Sequence, residues 1–141
     1  MPTQRMSEIV RYRDPLTLPP HTTVQDACQR MRDRRVGAVL VTNGDRRLVG
    51  IFTGRDAISR VLAEGRSPAG TRLSEVMTPD PNTMATNGTA IDALRLMQDG
   101  GFRHVPVLDE GRVAGVVSHG DFRGLEQARL DEETGLWERI W

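Results

Sequence analysis

The strongest constraint on this 141-residue chain is that it is written twice. "SEIV" at Ser7 returns as "SEVM" at Ser74, 67 positions on, and Asp14–Pro15 returns as Asp80–Pro81, 66 on. "DACQRM" from Asp26 parallels "DALRLM" from Asp92, again at 66, and "GIFTGRD" from Gly50 parallels "GVVSHGD" from Gly115, at 65. So small a drift means single-residue changes in loops, one of them in the turn "TNGDRR" against "DEGR", with the elements between kept in register. A half of about 60 residues is too short to bury a good core alone. Two similar halves are therefore expected to pack on each other about a pseudo-two-fold axis, with function at their junction.

Each half reads as strand, helix, strand, strand, helix. The fold class expected is α/β (α+β), two pseudo-symmetric repeats packed through their sheets. "PLTLPP" and "NTMAT" are short extended pieces held by prolines. Val24, Ala27, Cys28 and Met31 recur at helical spacing, as do Ala90, Ala93, Leu94 and Met97, with Thr23 and Thr89 as N-caps and Gly100 as a stop. "VGAVLVT" and "RRLVGIF" flank "NGD" as two strands about an Asn-Gly turn, matched by "RHVPVLDEGRVAGVVS". The apolar runs are continuous, as in strands covered on both faces. "GRDAISRVLAEG" and "GDFRGLEQARL" supply the closing helices. Residues 1–66 are read as the first repeat with an N-terminal segment, 67–130 as the second, and 131–141 as a tail. The linker is "AEGRSPAGTRL", residues 63–73. Trp137 and Trp141 in the tail are expected to dock on this chain or a partner.

Composition narrows the class further. Apolar residues make up 38% and glycines number 14, the range of ordinary globular domains. No apolar run reaches membrane-span length and the start lacks a secretory signal, so a soluble, cytoplasmic protein with no membrane partner is expected. Basic and acidic residues number 19 each, so no net field favours nucleic acid. Arg30, Arg32, Arg34, Arg35, Arg46 and Arg47, beside Asp33 and Asp45, read as a solvated face. Aromatics at 4% give no stacking platform for single strands, and nucleic acid is not an expected partner. Cys28, the single cysteine, lies on the apolar stripe of its helix and reads as packing. His21, His104 and His119 have no ligand-spaced companions, so no metal is expected.

The chemistry concentrates in the "GIFTGRD" and "GVVSHGD" stretches. Thr53 and Ser118 each stand where a strand ends and a helix begins, where unpaired N–H groups and the positive dipole favour an anion. Asp56 and Asp121 fall in the first turn, where a carboxylate can accept two hydrogen bonds from a ribose diol. Gly54 and Gly120 leave backbone room, and Arg55 and His119 offer positive charge. The same spacing is also that of a capping box, which stabilises many helices without any ligand. Capping alone demands neither the glycine that precedes the hydroxyl nor the repetition of the whole unit.

On these residues the chain resembles a tandem pair of cystathionine-β-synthase-type (CBS) domains, over about residues 7–127. Both stretches conform to that family's G-h-h-[ST]-x-x-D pattern, where h is apolar. The resemblance implies a ligand-binding regulatory module and not an enzyme. The ligand class implied is adenine nucleotide or adenosyl compound (AMP, ADP, ATP, NAD or S-adenosylmethionine) in two clefts between the repeats. Thr53 and Ser118 would then contact phosphate or ribose, and Asp56 and Asp121 the ribose hydroxyls. Adenine would lie by the backbone near Leu16 and Thr17, or Asn82 and Thr83, and near Gly37 and Ala38, or Arg103 and His104. A homodimer and a regulated protein partner are implied in the same way. The first repeat departs from the family's usual "HVPV" in having Leu40 where the second has Pro106, so the two clefts need not be equally good. An interaction module with empty caps stays open as the alternative.

Overall fold

The structure, a computed structural model of the chain, describes Arg5, Met6 and residues 14–122. The "SEIV" segment, residues 123–130 of the expected second closing helix and the tail with Trp137 and Trp141 lie outside the described residues. The chain divides into two compact units, one of residues 15–81 with 111–113 and the other taking in the remaining described residues.

The first repeat begins with β1 (Thr17–Leu18) and α1 (Val24–Arg34), then β2 (Ala38–Thr42) and β3 (Leu48–Thr53). Thr23 caps α1 through its hydroxyl, which accepts from the Asp26 amide at 3.2 Å. Val24, Ala27 and Met31 are buried, and Cys28 packs partly buried at the margin. Burial pushes the Cys28 thiol up. β1 runs parallel to β2, with Thr17 opposite Leu40, and β2 runs antiparallel to β3, with Ala38 opposite Thr53. All five residues of β2 are buried, as its continuous apolar run demands. Next comes α2 (Gly54–Asp56), which passes directly into a π-helical run, Ala57–Leu62.

Residues 63–73 were read as a linker, yet they are well tied to the first repeat. A 3₁₀ turn, Pro68–Gly70, leads to Thr71, whose carbonyl accepts from the Val24 amide at 2.8 Å. Leu73, fully buried, opens α3 (Leu73–Val76), which is followed by β4 (Thr78–Pro79) antiparallel to β3. The sheet order is β1-β2-β3-β4, the proline standing on the edge strand, where no ladder donor is lost.

The second repeat holds β5 (Met84–Ala85), α4 (Ala90–Gly100), β6 (His104–Asp109) and β7 (Arg112–Ser118), then a 3₁₀ turn, His119–Phe122. β5 runs parallel to β6 with Met84 opposite Val107, the same register as Leu18 opposite Val41 in the first repeat. A capping box of Thr89 and Asp92 starts α4, and Ala90, Ala93, Leu94 and Met97 bury its stripe. Met6 is fully buried in this core, its amide bonded to the Gly88 carbonyl at 2.8 Å. β7 differs from expectation: Val113, Gly115 and Val117 are buried while Ala114 and Val116 are only half-buried, so its two faces are not equally covered.

Two local expectations need correction, and one is met. The β2–β3 connection is not a two-residue Asn-Gly turn. Arg46 takes the left-handed conformation (φ 60) and the Asn43 amide bonds the Arg47 carbonyl, giving a three-residue loop. In the second repeat Glu110 (φ 52) and Gly111 (φ 81) are both left-handed, the signature of a two-residue type I′ turn, so the one-residue change sits in this hairpin. Finally, α4 runs through Gly100 and is stopped by Gly101 (φ 72). Its counterpart 66 positions earlier is Arg35, left-handed at φ 55 without the freedom of glycine.

Two outcomes follow from these ends. Because a side chain in the left-handed region costs about 1 kcal/mol, Arg35→Gly is expected to raise stability by about that much in denaturant unfolding. No gain would show that Arg35 is not held left-handed. At the start of α3 the Glu75 carboxylate accepts from the Arg72 amide at 2.7 Å and from Arg66 at 2.6 Å. The Arg72 bond chiefly, helped by Arg66 and opposed by slight desolvation, holds the Glu75 carboxyl below its ordinary 4.5. The stability it adds is present above that value and lost as pH falls through the lowered one. An NMR titration of Glu75 with a midpoint at or above 4.5 would overturn the contact.

Candidate ligand-binding corners

β3 ends at Thr53, and the chain turns at once into α2. The Thr53 amide donates to Asp56 Oδ2 at 2.9 Å, and the Thr53 hydroxyl donates to the same oxygen at 3.2 Å. The Asp56 amide lies 3.3 Å from Thr53 Oγ1. The reciprocal capping box is therefore present, and Asp56 is buried to 9% exposure. The other carboxylate oxygen, Oδ1, is met among the described residues only by Arg60 Nε, 3.6 Å away. The box thus uses one oxygen of Asp56 and leaves the second with lone pairs to give.

The neighbouring strand closes this corner. The Gly54 amide donates to the Gly37 carbonyl at 3.1 Å, and Ala38 lies opposite Thr53, so Gly37, Ala38, Thr53 and Asp56 are brought together. Arg55 is exposed beside them. Thr17 and Leu16 stand on the far side of β2, about 10 Å across the sheet at the usual strand spacing. Leu16 is a core residue whose carbonyl accepts from the Leu40 amide at 2.9 Å, leaving only its backbone near any site.

In the second repeat the Ser118 amide donates to Asp121 Oδ2 at 2.7 Å, and the His119 amide donates to the Arg103 carbonyl at 2.9 Å. The latter bond is the counterpart of Gly54 to Gly37. Arg103 and His104 are half-buried at the start of β6, whereas Asn82 and Thr83 are exposed just ahead of β5. His119, expected to offer charge, is buried at 1% exposure.

The sequence reading passed over two residues. Arg60 is one, although an aspartate followed four positions later by arginine is visible in "DAISR". Gly50 is the other, since the motif shows the glycine but not its packing role. A Cβ on Gly50 would run into the Met77 side chain and stand 3.0 Å from the Thr78 carbonyl, so the glycine admits β4 against β3 just behind the corner. The arginine-rich run behaves as a solvated face, with Arg32 on Asp33 at 2.9 Å and Arg30 on Asp26 at 3.5 Å. Among the described residues no His, Cys, Asp or Glu cluster could hold a metal ion, and no helix is long and apolar enough to cross a membrane.

The chain matches the family described as CBS domain over residues 7–63 and again over 73–126. It is 42% identical over 114 residues to a CBS domain-containing protein of Arabidopsis thaliana, covering 81% of this chain and 20% of that protein. The chain therefore spans about a fifth of the length of the curated relatives it matches first. A CBS-domain protein of Burkholderia ambifaria MC40-6 superposes with a TM-score of 0.78 at 32% identity, covering 84% of this chain and 90% of that one. A CBS domain protein from Pyrobaculum aerophilum, complexed with AMP, superposes with a TM-score of 0.79 at 25% identity, covering 93% and 99%.

The packing behind the first corner has a direct check. Gly50→Ala is expected to destabilise the protein by about 1–3 kcal/mol, the usual cost of overpacking. Gly44→Ala, where nothing lies within 4 Å, should stay within about 0.5 kcal/mol of the parent. Equal effects in chemical denaturation would rule out the close approach.

Proposed function

Because the chain belongs to the CBS domain family, with one match in each repeat, we propose that it is a regulatory module, not an enzyme, that takes adenosine-containing ligands at its Thr53–Asp56 and Ser118–Asp121 corners. The observation that carries this reading is the division of labour in the Asp56 carboxylate. Oδ2 is committed to Thr53, while among the described residues Oδ1 has only the 3.6 Å contact with Arg60. A buried carboxylate with lone pairs to give suits a vicinal diol, whose two hydroxyls are donors. Thr53 and Ser118 supply hydroxyls toward the sugar or phosphate, and Arg55 adds charge for a phosphate at the first corner. The backbone near Leu16, Thr17, Gly37 and Ala38, and near Asn82, Thr83, Arg103 and His104, would receive the base. The AMP complex of the Pyrobaculum aerophilum relative supports this ligand class.

Regulation requires that occupancy change something a partner can read, and a ligand shifts a conformational equilibrium only by its differential affinity for the two states. A homodimer is the assembly we assign. Ile58 and Leu62, exposed at 61% and 64% and four positions apart along one helix, offer apolar surface for a second copy.

A second reading, an interaction module whose corners are caps alone, is favoured by the closed capping box itself. Thermal unfolding with AMP, ATP, NAD and S-adenosylmethionine separates the two. A ligand at 100 times its dissociation constant is expected to stabilise the protein by about 2.7 kcal/mol, and the shift should disappear when Asp56→Ala and Asp121→Ala are combined. No shift with any of the four would sink the ligand reading and leave the caps.

A further inference from the structure

Arg60 makes one more set of contacts that the capping box does not require. Its Nη1 donates to the Val76 carbonyl and to the Met77 carbonyl, both at 3.1 Å, while its Nε faces Asp56 Oδ1. Those carbonyls lie at the C-terminal end of α3, where helix carbonyls lack intrahelical partners. One guanidinium therefore spans the first corner and residues 76–77, which are 16 and 17 positions away in sequence. The stretch it holds is otherwise fastened to β3. Thr78 pairs with Ile51, Pro79 with Gly50, and the Asp80 amide reaches the Val49 carbonyl at 3.3 Å. It then continues, through left-handed Asp80, into Asn82 and the second repeat.

We infer that Arg60 is a positioning residue that couples the Asp56 carboxylate to residues 76–80, so that a change at the carboxylate is felt in the stretch joining the two repeats. The physical basis is competition for Oδ1. Donors placed on that oxygen weaken its ion-pair attraction for Arg60, whose Nη1 stays on two neutral carbonyls. The sequence does not repeat this arginine at the equivalent place. Sixty-five positions after Arg60 the sequence has Leu125, which cannot bridge a carboxylate to anything. The identity of the donors rests on the reading of the corner as a ligand site. The link between Asp56 and residues 76–80 does not.

Residue-resolved amide exchange tests it. The reporters are the amides of Met77, bonded to the Leu73 carbonyl at 2.8 Å, and of Asp80; the Leu40 amide, bonded to the Leu16 carbonyl at 2.9 Å, serves as reference. Asp56→Asn keeps a capping acceptor but removes the charge. It should speed exchange at Met77 and Asp80 about two- to fivefold, the scale of a partly exposed ion pair, with Leu40 unchanged. In an Arg60→Leu background, whose parent side chain is 47% exposed so that folding should survive, Asp56→Asn should add nothing. Arg60→Lys, which keeps the charge but not the fork, should retain part of the effect. The idea is overturned if Asp56→Asn leaves both reporters unchanged, or changes them equally with and without Arg60. Saturating AMP should likewise alter both reporters in the parent protein and not in Arg60→Leu. Failure of AMP to bind the parent would count against the ligand reading alone, because the variant cycle without AMP judges the coupling.

Discussion

The Asp56 carboxylate is asked to do several things, and the structure depends on how its two oxygens are shared. A helix that starts at the end of a strand exposes amides which need acceptors, and leaving them bare in a half-buried corner would cost on the order of 1 kcal/mol or more. Oδ2 meets that need for Thr53. The choice between cap and binding site is therefore not exclusive. A cap of this kind presents its second oxygen in a fixed place, with the side chain already ordered, so a ligand that uses it has less entropy to lose. The glycine before the hydroxyl contributes in another way: Gly50 lets Met77 and Thr78 press against β3, which stiffens the strand that ends in Thr53.

Much of this was legible in the sequence, for identifiable reasons. The helices α1 and α4 carry a buried stripe at helical spacing and are opened by Thr23 and Thr89, signals that survive without tertiary context. The corners were legible because they occur twice. Other features had no local signal. β4 is two residues long with a proline, too short to show a period. The left-handed Arg46 and Arg35 are set by loop length and helix termination, not by residue preference. The π-helical run after Asp56 leaves no mark in an apolar pattern only six residues long. At the site, the motif located the carboxylates, but which oxygen the cap would take depends on geometry. Arg60's reach to residues 76 and 77 is a tertiary contact that spacing cannot reveal.

Comparing the two repeats shows which features the duplication has held and which have drifted. Backbone relations are kept: the amide after the hydroxyl bonds the residue before the second strand in both, as Gly54 to Gly37 and His119 to Arg103. The early strand also pairs in one register in both, since a one-residue slip would turn every core side chain outward. Side chains have drifted at several matched positions. Leu40 stands for Pro106, Arg35 for Gly101, Gly54 for His119 and Arg60 for Leu125.

These exchanges have unequal consequences. Arg35 for Gly101 trades conformational ease for nothing visible in the structure and bears on stability alone. Gly54 for His119 places a bare backbone in one corner and a buried imidazole in the other, so the two differ in room before they differ in charge. Arg60 for Leu125 is the exchange with the longest reach. In the first repeat a charged side chain runs from the corner carboxylate to the end of α3, and in the second the sequence puts an aliphatic one at that position. Two corners built on one backbone plan thus differ in sequence at this position. A single ligand meeting both need not find them equal in affinity, and in the first corner Arg60 is placed to pass occupancy on to residues 76–80.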